Sequence, residues 1–222
     1  MFFLLPKDNK RENVATSLKD YLNVLKVPGV WLVAILVLCA YSVQVAAEYT
    51  TTYLTTVFGM GAVIAGIVAT IHSYGIGIFS APIIGKISDK VGSYTKTLIG
   101  LFAVEMILGA VLILIPGQPN FLILAIIVVL ALATVYYAVR GVYYATMGEA
   151  GVPVAMTGTA TGIISVIGYR PDAYENTILG SFLDKYEAGG FTYVFGTVVL
   201  FAALGIVMCL IIRAKGKRGK KA

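Results

Sequence analysis

Apolar runs, each about as long as a membrane crossing, alternate with short polar or glycine-rich breaks along this 222-residue chain. A helix that crosses a bilayer needs ~20 mostly apolar residues. Runs of that order are predicted at about 28–58, 62–84, 97–115, 120–147, 154–183 and 191–212. Pro28 suits a helix start and Trp31 an interfacial anchor. Gly59 to Gly61, Pro116-Gly117-Gln118-Pro119 and Gly148 to Pro153 read as turns. Arg170-Pro171-Asp172 falls inside the fifth run and must bend it. No alternating strand period is present. The pattern predicts an all-α integral membrane protein with six transmembrane helices.

Composition agrees. The chain is 59% hydrophobic and 13% charged, with mean hydropathy +0.88, so a soluble domain could not hide its apolar surface. A net charge of +6 could suggest a nucleic-acid partner. The basic residues instead cluster at the ends of apolar runs, and nucleic acid is not expected. Lys7, Lys10, Arg11, Lys19 and Lys26 precede the first run. Lys86, Lys90 and Lys96 follow the second. Arg213, Lys215, Lys217, Arg218, Lys220 and Lys221 follow the last. With six spans these groups share one side, which predicts a plasma-membrane protein with both termini cytoplasmic. Residues 1–27 read as a cytoplasmic segment before the six-helix domain of 28–212, and 213–222 as a basic tail. Within the first segment, Val14, Leu18, Leu22 and Leu25 fit an amphipathic interfacial helix, with a flexible linker as the alternative. The apolar stretch Met1–Pro6 is too short for a signal-peptide core. Cys39 and Cys209 sit inside apolar runs and read as reduced packing residues. No cofactor or metal is expected. One histidine cannot supply a metal cluster, and no nucleophile–base arrangement suggests an enzyme.

A short motif recurs. Gly85-Lys86-Ile87-Ser88-Asp89-Lys90 shares its Gly-x-x-x-Asp-Lys skeleton with Gly180-Ser181-Phe182-Leu183-Asp184-Lys185, and Gly66–Ile71 parallels Gly162–Ile167. Each copy closes the second helix of a three-helix unit. Three is odd, so the two units would lie inverted across the bilayer, as in many secondary transporters. Chance likeness between apolar helices is the alternative.

On these residues the chain resembles the C-terminal six-helix half of a major facilitator superfamily transporter. Gly85, Asp89, Lys90 and Gly92 match that family's loop motif, while Ser93 and Tyr94 stand where basic residues are usual. The resemblance implies a half-bundle of two inverted repeats, a second six-helix half (a separate chain or another copy) and a loop that latches one conformation. In such a latch Asp89 would accept hydrogen bonds from the N–H groups of a neighbouring helix start. The alternative is a solvated loop with no switching role.

Polar residues inside apolar helices are costly and mark candidate sites. On the first run Tyr41, Gln44, Glu48, Thr52 and Thr55 recur at helical spacing, as a cavity wall or as helix-to-helix bonding. On the fourth, Tyr136, Arg140, Tyr143 and Met147 share a face. A guanidinium among tyrosines suits a carboxylate or phosphate, with snorkelling or pairing to Glu149 as the alternative. Arg170 stands at the predicted bend, in the membrane or in an external loop. His72 could relay protons or be a buried, bonded histidine. Glu105 suits a packing contact, because the resemblance places its helix outside the bundle; proton carriage is the other reading. The expected function is alternating-access transport of a small solute, with an organic anion favoured, the site lined by Tyr41, Gln44, Glu48, His72, Tyr136, Arg140, Tyr143 and Arg170. The alternative is a non-transporting membrane scaffold or sensor, or an inactive fragment of a split transporter.

Overall fold

The computed structural model describes residues 18–219; Val14 lies outside them. The chain forms α1 (Leu18–Leu25), α2 (Pro28–Glu48), α3 (Thr50–Phe58), α4 (Ala62–Thr70), α5 (Ile76–Val91), α6 (Tyr94–Leu114), α7 (Leu122–Val142), α8 (Thr157–Gly168), α9 (Pro171–Tyr186) and α10 (Phe191–Gly219). No strand occurs among the described residues. Pro28–Phe58, Tyr94–Leu114, Pro119–Met147 and Val154–Gly216 are helical stretches long and apolar enough to cross a membrane, and Ala62–Gly75 is a shorter apolar one.

α2 is the hub. Most of its length is apolar and buried against α10, α8, α9 and α7. α10 also packs extensively on α6, and α5 on α7. α1 lies at the foot of α2. Val24 is its buried contact, Leu22 and Leu25 are exposed, and Trp31 donates from Nε1 to the carbonyl of Leu25 at 2.8 Å.

Three breaks in the helices have local causes. Between α2 and α3 the Thr50 hydroxyl donates to the Ala47 carbonyl at 2.7 Å, a back-bond that bends helices. Between α4 and α5 the chain widens into one π-helical turn, Ile71–Gly75. Such turns leave carbonyls poorly paired, and the Tyr137 hydroxyl donates to the carbonyl of Ser73 at 3.1 Å. Between α8 and α9 the predicted bend is confined to Tyr169 and Arg170. Pro171 opens α9 at its first position, where its missing N–H is not needed. A Cβ on Gly168 would lie 2.5 Å from Val37 Cγ1, so only glycine lets this break rest against α2.

The Gly85 motif departs from its expected form. Gly85 to Lys90 are not loop but the last turns of α5. The connector is only Gly92 and Ser93. Gly92 takes a left-handed conformation (φ 68°) and donates its N–H to the carbonyls of Ser88 and Asp89. That closure favours glycine. The basic tail is also partly helical, since α10 runs to Gly219.

Candidate functional site

One face of the bundle keeps polar side chains open along otherwise apolar helices. From α2 come Tyr41 and Gln44, half-buried, and Glu48, exposed. Their spacing of three and four places them on one side of the helix. Arg140 of α7 is exposed towards them and donates from Nη1 to Gln44 Oε1 at 3.4 Å, while Gln44 Nε2 donates to Glu48 Oε1 at 3.5 Å. Both bonds are long, so most of the guanidinium's donors remain free for another partner.

The break between α8 and α9 completes this face. It brings Asp172 to accept from the Tyr41 hydroxyl at 2.6 Å and lays the Tyr169 ring 4.7 Å from that of Tyr41. The Tyr169 hydroxyl in turn meets those of Tyr143 at 3.1 Å and Tyr144 at 3.2 Å, and Tyr144 meets Ser165 Oγ at 2.7 Å. One end of the face is thus a cation with spare donors. The other is a carboxylate held by a tyrosine. Between them lies a tyrosine shelf able to stack and to hydrogen-bond.

The predicted residues do not all join it. Tyr41, Gln44, Glu48 and Arg140 come together. Tyr143 is buried beneath the shelf and reaches it only through Tyr169. Tyr136 is buried, against Tyr137 at 4.4 Å and His72 at 5.7 Å between ring centroids. Among the described residues His72 Nε2 has no hydrogen-bond partner. Arg170 is exposed at the break, whereas its neighbours Tyr169 and Asp172 make the contacts. The shared face predicted for Tyr136, Arg140, Tyr143 and Met147 therefore splits: the tyrosines and Met147 are buried and Arg140 is exposed. After Val142 the chain tightens into a 3-10 turn, Tyr143–Met147, which shifts the later residues around the axis. Sequence reasoning did not assign Tyr169 or Asp172 to the site. The polar cluster around Pro171 was the signal, but the direction of its bend was not readable.

Two other features bound the site. A cavity of about 430 Å³ between α5, α6 and α7 is lined by Ile76, Phe79, Ser80, Leu101, Thr134 and Ala138, among others. None of the predicted site residues borders it. At the end of the bundle where α5 meets α6, Glu149 sits over the start of α6. It accepts from the Ser93 hydroxyl at 3.1 Å, the Thr95 N–H at 3.3 Å, the Tyr94 N–H and the Thr95 hydroxyl. That is the arrangement expected of Asp89, which instead accepts from the Tyr94 hydroxyl at 2.8 Å. Glu149 is therefore committed to α6 while Arg140 turns to Gln44.

A family model described as Major Facilitator Superfamily matches residues 1–170. The inner membrane protein YqcE of Escherichia coli (strain K12) is 30% identical over 202 residues, covering 90% of this chain and 47% of that protein. The inner membrane protein YihN of the same organism is 28% identical over 214 residues, covering 96% of this chain and 51% of that protein. The chain spans about half the length of the curated relatives it matches.

Proposed function

The chain belongs to the Major Facilitator Superfamily, and from that membership we propose that it forms the C-terminal six-helix half of a secondary transporter in the plasma membrane. Both termini are cytoplasmic, and the partner half is a separate polypeptide, another segment or a second copy of this chain. The observation that carries the reading is the open polar face of Tyr41, Gln44, Glu48, Arg140, Tyr169 and Asp172 within apolar helices. Facing lipid, those groups would be desolvated without partners. Facing a second half across a water-filled cleft, they form one wall of a solute site.

Arg140 favours an organic anion, since a guanidinium pairs in a planar fork with carboxylate, phosphate or sulfonate. The tyrosine shelf suits the carbon skeleton of such a solute. Two inverted repeats supply the motion. The repeat offset of 96 residues carries the π turn at Ile71–Gly75 onto 167–171, where the α8/α9 break falls. The second helix of each unit is thus interrupted at a matching position, which supports the repeat and gives each unit a bending point. Solute binding biases the inward or outward state only through contacts that differ between them.

The test is reconstitution into liposomes, with and without a candidate first half. Uptake is measured over a panel of radiolabelled carboxylates, phosphates, sulfonates and neutral solutes. Saturable uptake of an anion, lost in Arg140→Ala, is expected. No flux of any solute in either preparation would sink the reading.

A further inference from the structure

The interface that carries the open face also holds a carboxyl that the face does not use. Glu175 lies on α9, one turn beyond Asp172, and is only 3% exposed. Among the described residues neither of its carboxyl oxygens has a hydrogen-bond partner. Beside it on α2 is Ser42, fully buried, whose Oγ is also without a partner. Two cross-helix bonds bracket the pair. On one side Tyr41 donates to Asp172 at 2.6 Å. On the other the Tyr49 hydroxyl donates to the Asn176 carbonyl at 3.1 Å. These bonds clasp α9 to α2 over Glu175.

Ser42 and Tyr49, on α2 and just past its end, lie near the carboxyl, as do Asp172 and Tyr174 on α9 itself. Glu48 stands next to Tyr49, and Cys39 faces Tyr174. α10 also packs on α9, but its Tyr193 is stacked on Phe182 and set beside Tyr186, towards the far end of α9. Among the described residues no cation joins this set. A buried ionised carboxylate here would have nothing to offset its lost hydration. A protonated carboxyl carries a donor as well as acceptors, and so can bond the neighbouring hydroxyl. A metal ion fits the place poorly. Hard cations take about six oxygen ligands, whereas Ser42 and Glu175 are two groups and Asp172 is engaged by Tyr41.

The geometry points to Glu175 with Ser42 as a proton-binding site, opened to water when the α2–α9 clasp parts and sealed when it closes. While the clasp is open, hydronium in the admitted water gives its proton to the Glu175 carboxylate, one O–H bond breaking as another forms, and the proton returns to water as hydronium at the next opening. No other covalent bond changes. The site deepens the transport reading, on which its role in coupling solute to proton rests; its occupancy by a proton does not depend on that reading.

Infrared difference spectroscopy on the reconstituted full chain tests it. The carboxylic-acid C=O band is followed as pH is raised at constant ionic strength. A band that vanishes on alkalinisation is expected in the wild type, lost in Glu175→Gln and shifted in Ser42→Ala. Glu105, buried and without a partner among the described residues, stays in every variant, so any band it contributes is common to all of them. Should Glu175→Gln fail to fold, Ser42→Ala alone decides. An unshifted band in Ser42→Ala, a Glu175 band that never titrates, or a spectrum unchanged in Glu175→Gln overturns the proposal. So does loss of the band on replacing choline by sodium at fixed pH, which would make it a sodium site. Absence of solute flux with the titrating band intact would defeat the transport reading alone.

Discussion

Replacing Glu149 by alanine should loosen the start of α6 more than any other single change at that end of the bundle. Its carboxylate accepts from two backbone N–H groups, of Tyr94 and Thr95, and from two hydroxyls, of Ser93 and Thr95. Loss of an N-terminal cap costs about 0.5–2 kcal/mol. Hydrogen bonds to a charged group are worth about 1.5–3 kcal/mol each, although water entering the gap returns part of that. The anion also sits at the positive end of the α6 dipole, worth about 0.3–1 kcal/mol. Together these give a loss of roughly 2–4 kcal/mol for Glu149→Ala. Glu149→Gln keeps one acceptor oxygen without the charge, and should lose about half as much. The chain carries its own reporter. Cys39 and Cys209 are buried free thiols, so a thiol-reactive dye fluoresces only as the bundle opens. At about 2–4 °C per kcal/mol for a chain of this size, the alanine variant should open roughly 5 to 15 °C below wild type, with glutamine between. Coincident melting of Glu149→Ala and wild type would refute the capping argument. So would a glutamine variant no better than alanine, for that would leave no value in the retained acceptor.

Further outcomes follow from single contacts. Arg140→Ala should cut uptake of an anionic solute about 10- to 100-fold, the loss of one charged hydrogen-bonding partner, with Arg140→Lys intermediate; equal uptake by Arg140→Ala would remove the anion reading. Gly168→Val should lower stability by about 1–3 kcal/mol, because its side chain meets Val37 on α2. Gly180→Ala, with open space around its Cβ, is the control, and thiol-dye melting of both checks the pair. Tyr137→Phe leaves the Ser73 carbonyl of the π turn without its donor and should cost about 1 kcal/mol, read by the same melting experiment.

The site was partly readable before the fold was known. Tyr41, Gln44 and Glu48 share a face because a helix puts residues three and four apart on one side, whatever surrounds it. Arg140 stood out because a cation inside an apolar run demands a reason. Tyr143 leaves the face because the helical period does not carry past Val142, where the chain tightens into a 3-10 turn, whereas Tyr136 keeps the period and is covered by Tyr137 and His72. Asp89 was assigned the helix-start contact because the motif singled it out. Glu149 makes that contact, from a turn 55 residues beyond Tyr94, and no local pattern encodes its approach.

Apolar runs long enough to cross a bilayer, the glycine and proline breaks between them and the placement of basic residues are properties of the chain alone. They declare helices and membrane because every buried backbone group must be bonded within its own segment. The partners of the polar residues were a different matter. That Tyr41 meets Asp172, that Arg140 turns to Gln44 rather than Glu149, and that Glu175 and Ser42 are shut together without partners depend on how α9 swings at Tyr169 and Arg170 and how closely Gly168 lets it approach α2. Those are contacts between residues up to 133 positions apart in the sequence. Only tertiary packing sets their distances, because a helix period states which side a residue faces and not what stands opposite it.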